Sequence, residues 1–191
     1  MVLGVSLLRQ LVEELRAKPP PRRGDRDMAR LLSQAAERWE ENGRPLVSSR
    51  GAYTRSCAYA DDDFELLLLN WDAAATSAIH DHGDQHCWML VLRGILHVED
   101  YVRLDAADVP GYADVEATGS RLLAPGGLDA RSGRFDLHRV CAPRSSGAVS
   151  LHVYSGRLSN YLIYDPSTRR CERASSSYDD VLSPYAPAHR T

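Results

Sequence analysis

The hydrophobic pattern divides the chain into two regimes. Leu3, Leu7, Leu8, Leu11, Val12 and Leu15 recur at helical spacing, so residues 2–17 are read as an amphipathic helix. Pro19, Pro20 and Pro21 end it and make a stiff connector. Asp25 can cap a second helix whose apolar face is Met28, Leu31, Leu32, Ala35, Ala36 and Trp39, with Asn42-Gly43 as its stop. From residue 51 the period changes. Short apolar runs alternate with Gly, Pro, Asp and Ser clusters at 52–60, 64–71, 76–82, 86–93, 95–103, 120–124, 136–141, 148–155 and 160–164. Many short strands with close turn signals predict an all-β sandwich or barrel. Trp88–Leu92, Arg93-Gly94 and Ile95–Tyr101 read as a tight hairpin. After Asp165-Pro166 the chain becomes rich in Arg and Ser, and a loosely packed tail is expected. The expectation is one mainly-β domain over 1–191: a helical brace at 1–45, a barrel at 51–165 and a polar tail at 166–191.

Composition excludes several classes. A formal charge of -3 does not suit nucleic acid as a partner, since phosphate binding needs a positive field. No apolar run is long enough to span a bilayer, and Arg9, Glu13, Glu14 and Arg16 interrupt the N-terminal apolar residues, so neither a membrane span nor a secretion signal is expected. A cytoplasmic monomer is the simplest expectation. Cys57, Cys87, Cys141 and Cys171 include no CxxC pair and are read as thiols. Lys18 is the single lysine, and the other basic side chains are Arg, the better partner for a carboxylate.

The densest chemistry is Ile79-His80-Asp81-His82-Gly83-Asp84-Gln85-His86-Cys87. On a strand, residues two apart share a face, so His80 and His82 would project together and could bind a transition metal with help from elsewhere. Two downstream histidines compete for a third position. His138 lies in a short apolar stretch, Leu137-His138-Arg139-Val140. His152 lies in Ser150-Leu151-His152-Val153-Tyr154, where Ser150, His152 and Tyr154 share one face, a pattern that also suits an internal hydrogen-bond chain. His86, His97 and His189 have no such setting.

His-x-His, a turn, a Gly and a distant His resemble the metal motifs of the cupin barrel. Most cupins carry Glu five positions after the second His; here that position is Cys87. Together with Tyr53-Thr54-Arg55, Leu137-His138-Arg139-Val140 and Ser150-Leu151-His152-Val153-Tyr154, this closely resembles the cysteine dioxygenases, in the correct order from Tyr53 to Tyr154. The resemblance implies a cupin-type β-barrel preceded by two helices, with Fe(II) held by His80, His82 and His138. It implies L-cysteine and O2 as substrates and cysteine sulfinic acid as product. Three neutral imidazoles leave the metal its full charge, which favours an anionic ligand such as a thiolate. The family binds cysteine through sulfur and amine. By the same resemblance Arg55 and Tyr53 clamp the substrate carboxylate, and Tyr154 carries the hydroxyl beside the substrate. His152 orients that hydroxyl, Ser150 orients His152, and Cys87 joins Tyr154 in a thioether cross-link. The family commonly has Ser-Pro after the strand tyrosine; Ser155-Gly156-Arg157 departs from it and bears on substrate selectivity. A dioxygenase of another small thiol, such as 3-mercaptopropionate, is the near alternative, although such relatives typically carry Gln in place of Arg55. A non-catalytic metal- or ligand-binding cupin is the remote one. No nucleophile elbow supports a hydrolase.

Overall fold

The computed structural model describes residues 3–40, 52–134 and 136–182. The two helices form on the expected stripes, as α1 (Leu3–Ala17) and α2 (Asp25–Glu40). Leu7, Leu8, Leu11, Val12 and Leu15 of α1 meet Met28, Leu31, Leu32 and Trp39 of α2 in one buried cluster. Arg23 turns back between them and donates to the carbonyls of Glu14 and Lys18, both at 2.6 Å, satisfying the frayed end of α1. The Asp25 carboxylate accepts from Trp88 Nε1 at 3.1 Å, which ties the start of α2 to the sheet beneath it. The helix stop expected at Asn42-Gly43 lies outside the described residues. No described helix is long and apolar enough to cross a membrane.

The strands are β1 (Tyr53–Ala60), β2 (Glu65–Trp71), β3 (Ile79–His80), β4 (His86–Arg93), β5 (Leu96–Arg103), β6 (Val115–Leu123), β7 (Leu128–Ser132), β8 (Leu137–Cys141), β9 (Ala148–Tyr154), β10 (Asn160–Asp165), β11 (Arg170–Ser175) and β12 (Asp180–Val181). They make two six-stranded sheets, ordered β12-β1-β2-β9-β4-β7 and β11-β10-β3-β8-β5-β6. The inner strands β2, β9 and β4 of the first sheet are buried on both faces, which explains the unbroken apolar run of β2. Leu66, Leu68, Leu90, Leu151 and Val153 pack outward under the helices. Leu67, Leu69, Met89, Val91 and Tyr154 point the other way, into the space between the sheets, where Leu96, Val98 and Val140 of the second sheet meet them. Each leucine fully buried in this way contributes about 1.5–3 kcal/mol relative to exposure. In β9 the expected alternation holds. Val149, Leu151 and Val153 face the helices, whereas Ser150, His152 and Tyr154 face the barrel interior.

Two expectations differ from the structure. The Arg93-Gly94 turn does not close a hairpin: β4 pairs with β7 and β9, and β5 with β6 and β8. The chain instead crosses from one sheet to the other. A register irregularity between Val91 and Arg93 bends β4, and Gly94 then adopts φ 76°. A Cβ at Gly94 would sit 2.5 Å from the Gly147 carbonyl oxygen, so backbone and not a movable side chain blocks it. Gly94→Ala is therefore expected to lower unfolding free energy by more than about 2 kcal/mol, the upper end of the left-handed penalty alone, as read from urea denaturation. An unchanged midpoint would mean that the corner tolerates a side chain.

The second difference is the C-terminal part. Residues expected to be a loose tail include β11, which pairs along its length with β10, and β12, which runs parallel to β1. Leu182 N donates to Cys57 O at 2.8 Å, and Asp179 N to Arg55 O at 2.9 Å. This segment thus straps the strand that carries Arg55.

Candidate metal centre

β3 is only two residues long, yet it positions the site. His80 lies directly opposite His138 of β8 on one side and Ile163 of β10 on the other. His82 falls beyond the strand, so strand alternation is not what brings it to His80. The turn is fixed instead by Asp81, which is buried. Its carboxylate accepts from Gly83 N at 2.9 Å, Leu162 N at 3.0 Å and the Tyr164 hydroxyl at 2.8 Å. With Asp81 turned into the wall, the flanking His80 and His82 rings come together beside that of His138. The ring centroids of His80, His82 and His138 are 4.7–5.0 Å apart. One nitrogen from each lies within 4.8 Å of the other two.

The protonation of these rings suits a metal. Burial, followed by repulsion from His138, pushes His80 down to about 3; the same causes hold His82 well below its usual range. Burial also lowers His138, against the pull of the Asp129 carboxylate. All three are neutral imidazoles with lone pairs available near pH 7. His80 Nδ1 lies 3.0 Å from Ala78 O and His138 Nδ1 2.9 Å from Asp129 Oδ2, which leaves the Nε2 atom of each for the cavity. His82 Nδ1 is buried with no hydrogen-bond partner among the described residues. An orphaned ring nitrogen beside two converging imidazoles is what a nitrogen-ligated cation would satisfy, so the residues fit a metal.

Beside His80 and His138 lies a cavity of about 50 Å³, lined also by Tyr53, Arg55, Tyr154 and Tyr161; His82 stands behind its wall. A larger surface cleft of about 290 Å³ contains none of the three histidines; it shares the Leu158 and Tyr161 walls with the inner cavity. The small cavity is where the chemistry-bearing groups meet. Arg55 Nε and Nη2 are buried and have no hydrogen-bond partner among the described residues. The backbone of Arg55 is fixed by Asp179, whose carboxylate accepts from Arg55 N at 2.8 Å. Tyr53 stacks on Trp71 at 4.5 Å.

The polar row of β9 continues the chain. Trp71 Nε1 donates to Ser150 Oγ at 2.8 Å, which leaves the Ser150 hydroxyl to donate to His152 Nε2 at 2.9 Å. His152 Nδ1 then faces Cys87 Sγ at 4.0 Å. The expected His152 contact with the Tyr154 hydroxyl is not among the described hydrogen bonds; the two rings lie stacked at 6.2 Å. The register explains this. Tyr154 stands directly opposite Cys87 on β4, while His152 stands opposite Met89. Burial raises both the Cys87 thiol and the Tyr154 phenol, so each is neutral at pH 7 and Cys87 is no thiolate nucleophile.

Four site features had little or no signal in the sequence reading. Asp81 sits between the two histidines, where a strand reading turns it to the opposite face and gives it no role. Asp129 and Arg131 belong to a stretch that reads as a loop. Tyr161, whose ring meets His80 edge-on at 5.9 Å, has no motif. Glu65 opens the apolar run of β2; it is buried, accepting from Leu158 N at 3.1 Å and from the Tyr178 hydroxyl. At Gly156, a Cβ would approach Gln85 Oε1 to 2.7 Å, so glycine makes room for the Gln85 side chain, which accepts from Ser155 Oγ at 3.1 Å. Arg157 reaches the carbonyls of Asp61 and Ala60, on the β1–β2 turn side and away from the histidines.

A two-sheet β-barrel that brings three neutral imidazoles together in its interior defines a cupin with a three-histidine site fit for a metal. The chain belongs to the cysteine dioxygenase type I family, which matches residues 33–167, more than half of the sequence. Over 118 residues it is 30% identical to cysteine dioxygenase type 1 of Danio rerio and 28% identical to that of Homo sapiens. Each alignment covers 61% of this chain and 57% of the relative, so the chain spans little more than half the length of these relatives. Among solved structures it is similar to a Thermus thermophilus protein designated TT1209 (TM-score 0.47, 17% identity, 59% of this chain and 90% of that one). A sugar phosphate isomerase of the cupin superfamily from Silicibacter pomeroyi gives a TM-score of 0.40 at 18% identity, covering 64% of this chain and 73% of that one.

Proposed function

We propose that the protein is an iron-dependent dioxygenase that transfers both atoms of O2 to the thiol sulfur of L-cysteine, giving cysteine sulfinic acid. The observation that carries this reading is Arg55. A guanidinium with two buried, unpartnered nitrogens opens into the cavity that His80 and His138 line, and a small carboxylate is the group it fits. Imidazole donors alone would also suit zinc, copper or nickel. Membership of the cysteine dioxygenase family favours iron, and zinc has no redox chemistry to offer. Bound iron would supply the oxygen chemistry.

The residues divide the remaining work. His80, His82 and His138 would hold the metal. Arg55 binds the substrate carboxylate, with the Tyr53 hydroxyl beside it, so the thiol end is directed toward the histidines. Tyr154, a neutral phenol, offers a hydrogen-bond donor on the cavity wall, and its neighbours Cys87 and His152 fix where that wall stands. Ser150 fixes His152 in turn. The direct pairing of Cys87 with Tyr154 also supports a thioether between Sγ and the phenol ring, formed with loss of one hydrogen from each and with O2 as the oxidant.

A second reading, oxidation of 3-mercaptopropionate, is favoured by one observation. None of the residues lining the cavity is acidic, so no carboxylate there is placed for an ammonium group, and a cysteine amine would have to bind at the metal, a demand that 3-mercaptopropionate does not make. Anaerobic loading with Fe(II), followed by labelled oxygen and each thiol separately and in competition, separates the readings. Two labelled atoms in cysteine sulfinate, with cysteine preferred, is the expected result; preference for the other thiol would transfer the assignment to it. Metal bound with no sulfinate from either would leave a binding cupin. Intact mass of the same samples reads the thioether as a loss of two hydrogens.

A further inference from the structure

Behind His138 stands an ion network that thiol oxidation does not itself require. Asp129, on the edge strand β7 of one sheet, reaches across to His138 on β8 of the other. Its carboxylate is buried and accepts four contacts. Oδ2 takes His138 Nδ1 at 2.9 Å and Arg131 Nε at 2.8 Å, while Oδ1 takes Arg131 Nη2 at 2.8 Å and Arg121 Nη2. The two arginines are themselves held. Arg131 Nη2 donates to Asp100 Oδ1 at 2.5 Å and Nη1 to Asp136 Oδ1 at 3.0 Å; Arg121 Nη1 donates to Asp100 Oδ2 at 2.6 Å. Two guanidiniums against three carboxylates leave one net negative charge on the seam between the sheets.

A network meant only to close the barrel would not need to end on a histidine. Asp136 shows the structural form of the same interaction: it binds Arg131 and Ser132 N, the latter at 2.9 Å, and among the described residues makes no hydrogen bond to an imidazole. Asp129 differs in the one contact that fixes the His138 ring. A carboxylate on Nδ1–H sets the tautomer, directs the Nε2 lone pair inward and increases its donor strength. Two guanidiniums hold that carboxylate in place, so it can neither swing into the cavity nor become a ligand.

We infer that Asp129 is a positioning residue for the metal: it fixes the tautomer and direction of His138, and Arg131 and Arg121 clamp it in that role. The inference rests on the reading that the three histidines hold a metal, and it is independent of whether a thiol is oxidised there. The test compares wild type, Asp129→Asn and Asp136→Asn. Fe(II) affinity is measured anaerobically by competition with a chromophoric chelator, and the Co(II)-loaded proteins are compared by their ligand-field absorption. Asp129→Asn is expected to weaken Fe(II) binding by about 10- to 100-fold and to shift the Co(II) bands. Asp136→Asn is expected to leave both close to wild type, although each variant loses one Arg131 contact. Equal weakening in the two variants, or an Asp129→Asn protein that binds as tightly as wild type, would overturn the inference.

Because Asp129→Asn removes a buried charge partner, a second measurement uses the wild type alone. In the Zn(II)-loaded protein, nitrogen-resolved NMR is expected to show His138 protonated at Nδ1, with a proton slow to exchange, and metallated at Nε2. A bare or rapidly exchanging Nδ1 would overturn the assignment. A wild type that takes up no metal would overturn this inference and the metal reading together. One that binds metal and oxidises no thiol would overturn the functional proposal alone.

Discussion

His138→Ala is expected to abolish metal retention and turnover together, with metal affinity falling by more than about 100-fold, beyond what losing an outer partner of a ligand costs. The three rings lie within 5.0 Å of one another, and only His138 has a carboxylate on its outer nitrogen. Removing it leaves two neutral imidazoles, too few to compete with water for a dication. The same change strips Asp129 of one of its four donors while Arg131 and Arg121 remain, so the barrel seam is kept and loss of metal is not loss of fold. Anaerobic Fe(II) titration with circular dichroism on the same samples separates the two. His86→Ala is the control: His86 is exposed and stacks on Trp88 at 5.7 Å, outside the histidine cluster. Stoichiometric iron and full activity in His138→Ala would remove it from the ligand set, and comparable loss in His86→Ala would show that the measurement reports folding.

The parts of this molecule that were legible in the sequence are those where burial imposes a period. The stripes of α1 and α2, the unbroken run of β2 and the alternation in β9 each follow from which faces are covered. The parts that were not legible have physical reasons of their own. β11 is an edge strand with little burial on either face, so Arg170–Ser175 carries no apolar alternation and reads as tail. β7 buries Asp129 and Arg131 as ion partners, so its inward positions are charged where a core strand would show apolar residues. The turn at Gly94 looks the same in sequence whether the following strand returns to its own sheet or crosses to the other. The irregularity at Val91–Arg93 decides it, and that is a property of pairing. The histidine pair is the instructive case. Its spacing points to the cluster that the structure assembles, but for an incomplete reason, since β3 ends at His80 and the buried Asp81 carboxylate, not strand alternation, sets the turn that places His82.

Arg55→Gln is expected to lower kcat/KM for L-cysteine by roughly 2–5 kcal/mol, or about 30-fold to several-thousand-fold, mainly through KM. In the protein without substrate, Arg55 holds its charge with two nitrogens buried and unpartnered. Burial opposes that charge, but its surroundings favour it on balance; the nearby Glu65 carboxylate is itself engaged by Leu158 N and Tyr178. The two open nitrogens are hydrogen-bond donors that a substrate carboxylate would satisfy on arrival. Two measurements should therefore separate: the variant loses substrate affinity, while its thermal unfolding midpoint stays close to wild type, because no described hydrogen bond to those two nitrogens is removed. The loss should be as large for 3-mercaptopropionate, which also has a carboxylate, and small for a thiol that has none. Fe(II) affinity should not fall, since Arg55 makes no described hydrogen bond to the three histidines and its positive charge opposes charge on His80. If affinity for both carboxylate-bearing thiols survives, Arg55 is not the clamp. If thermal stability falls sharply, Arg55 belongs to the packing of β1, and its open nitrogens are no sign of a substrate.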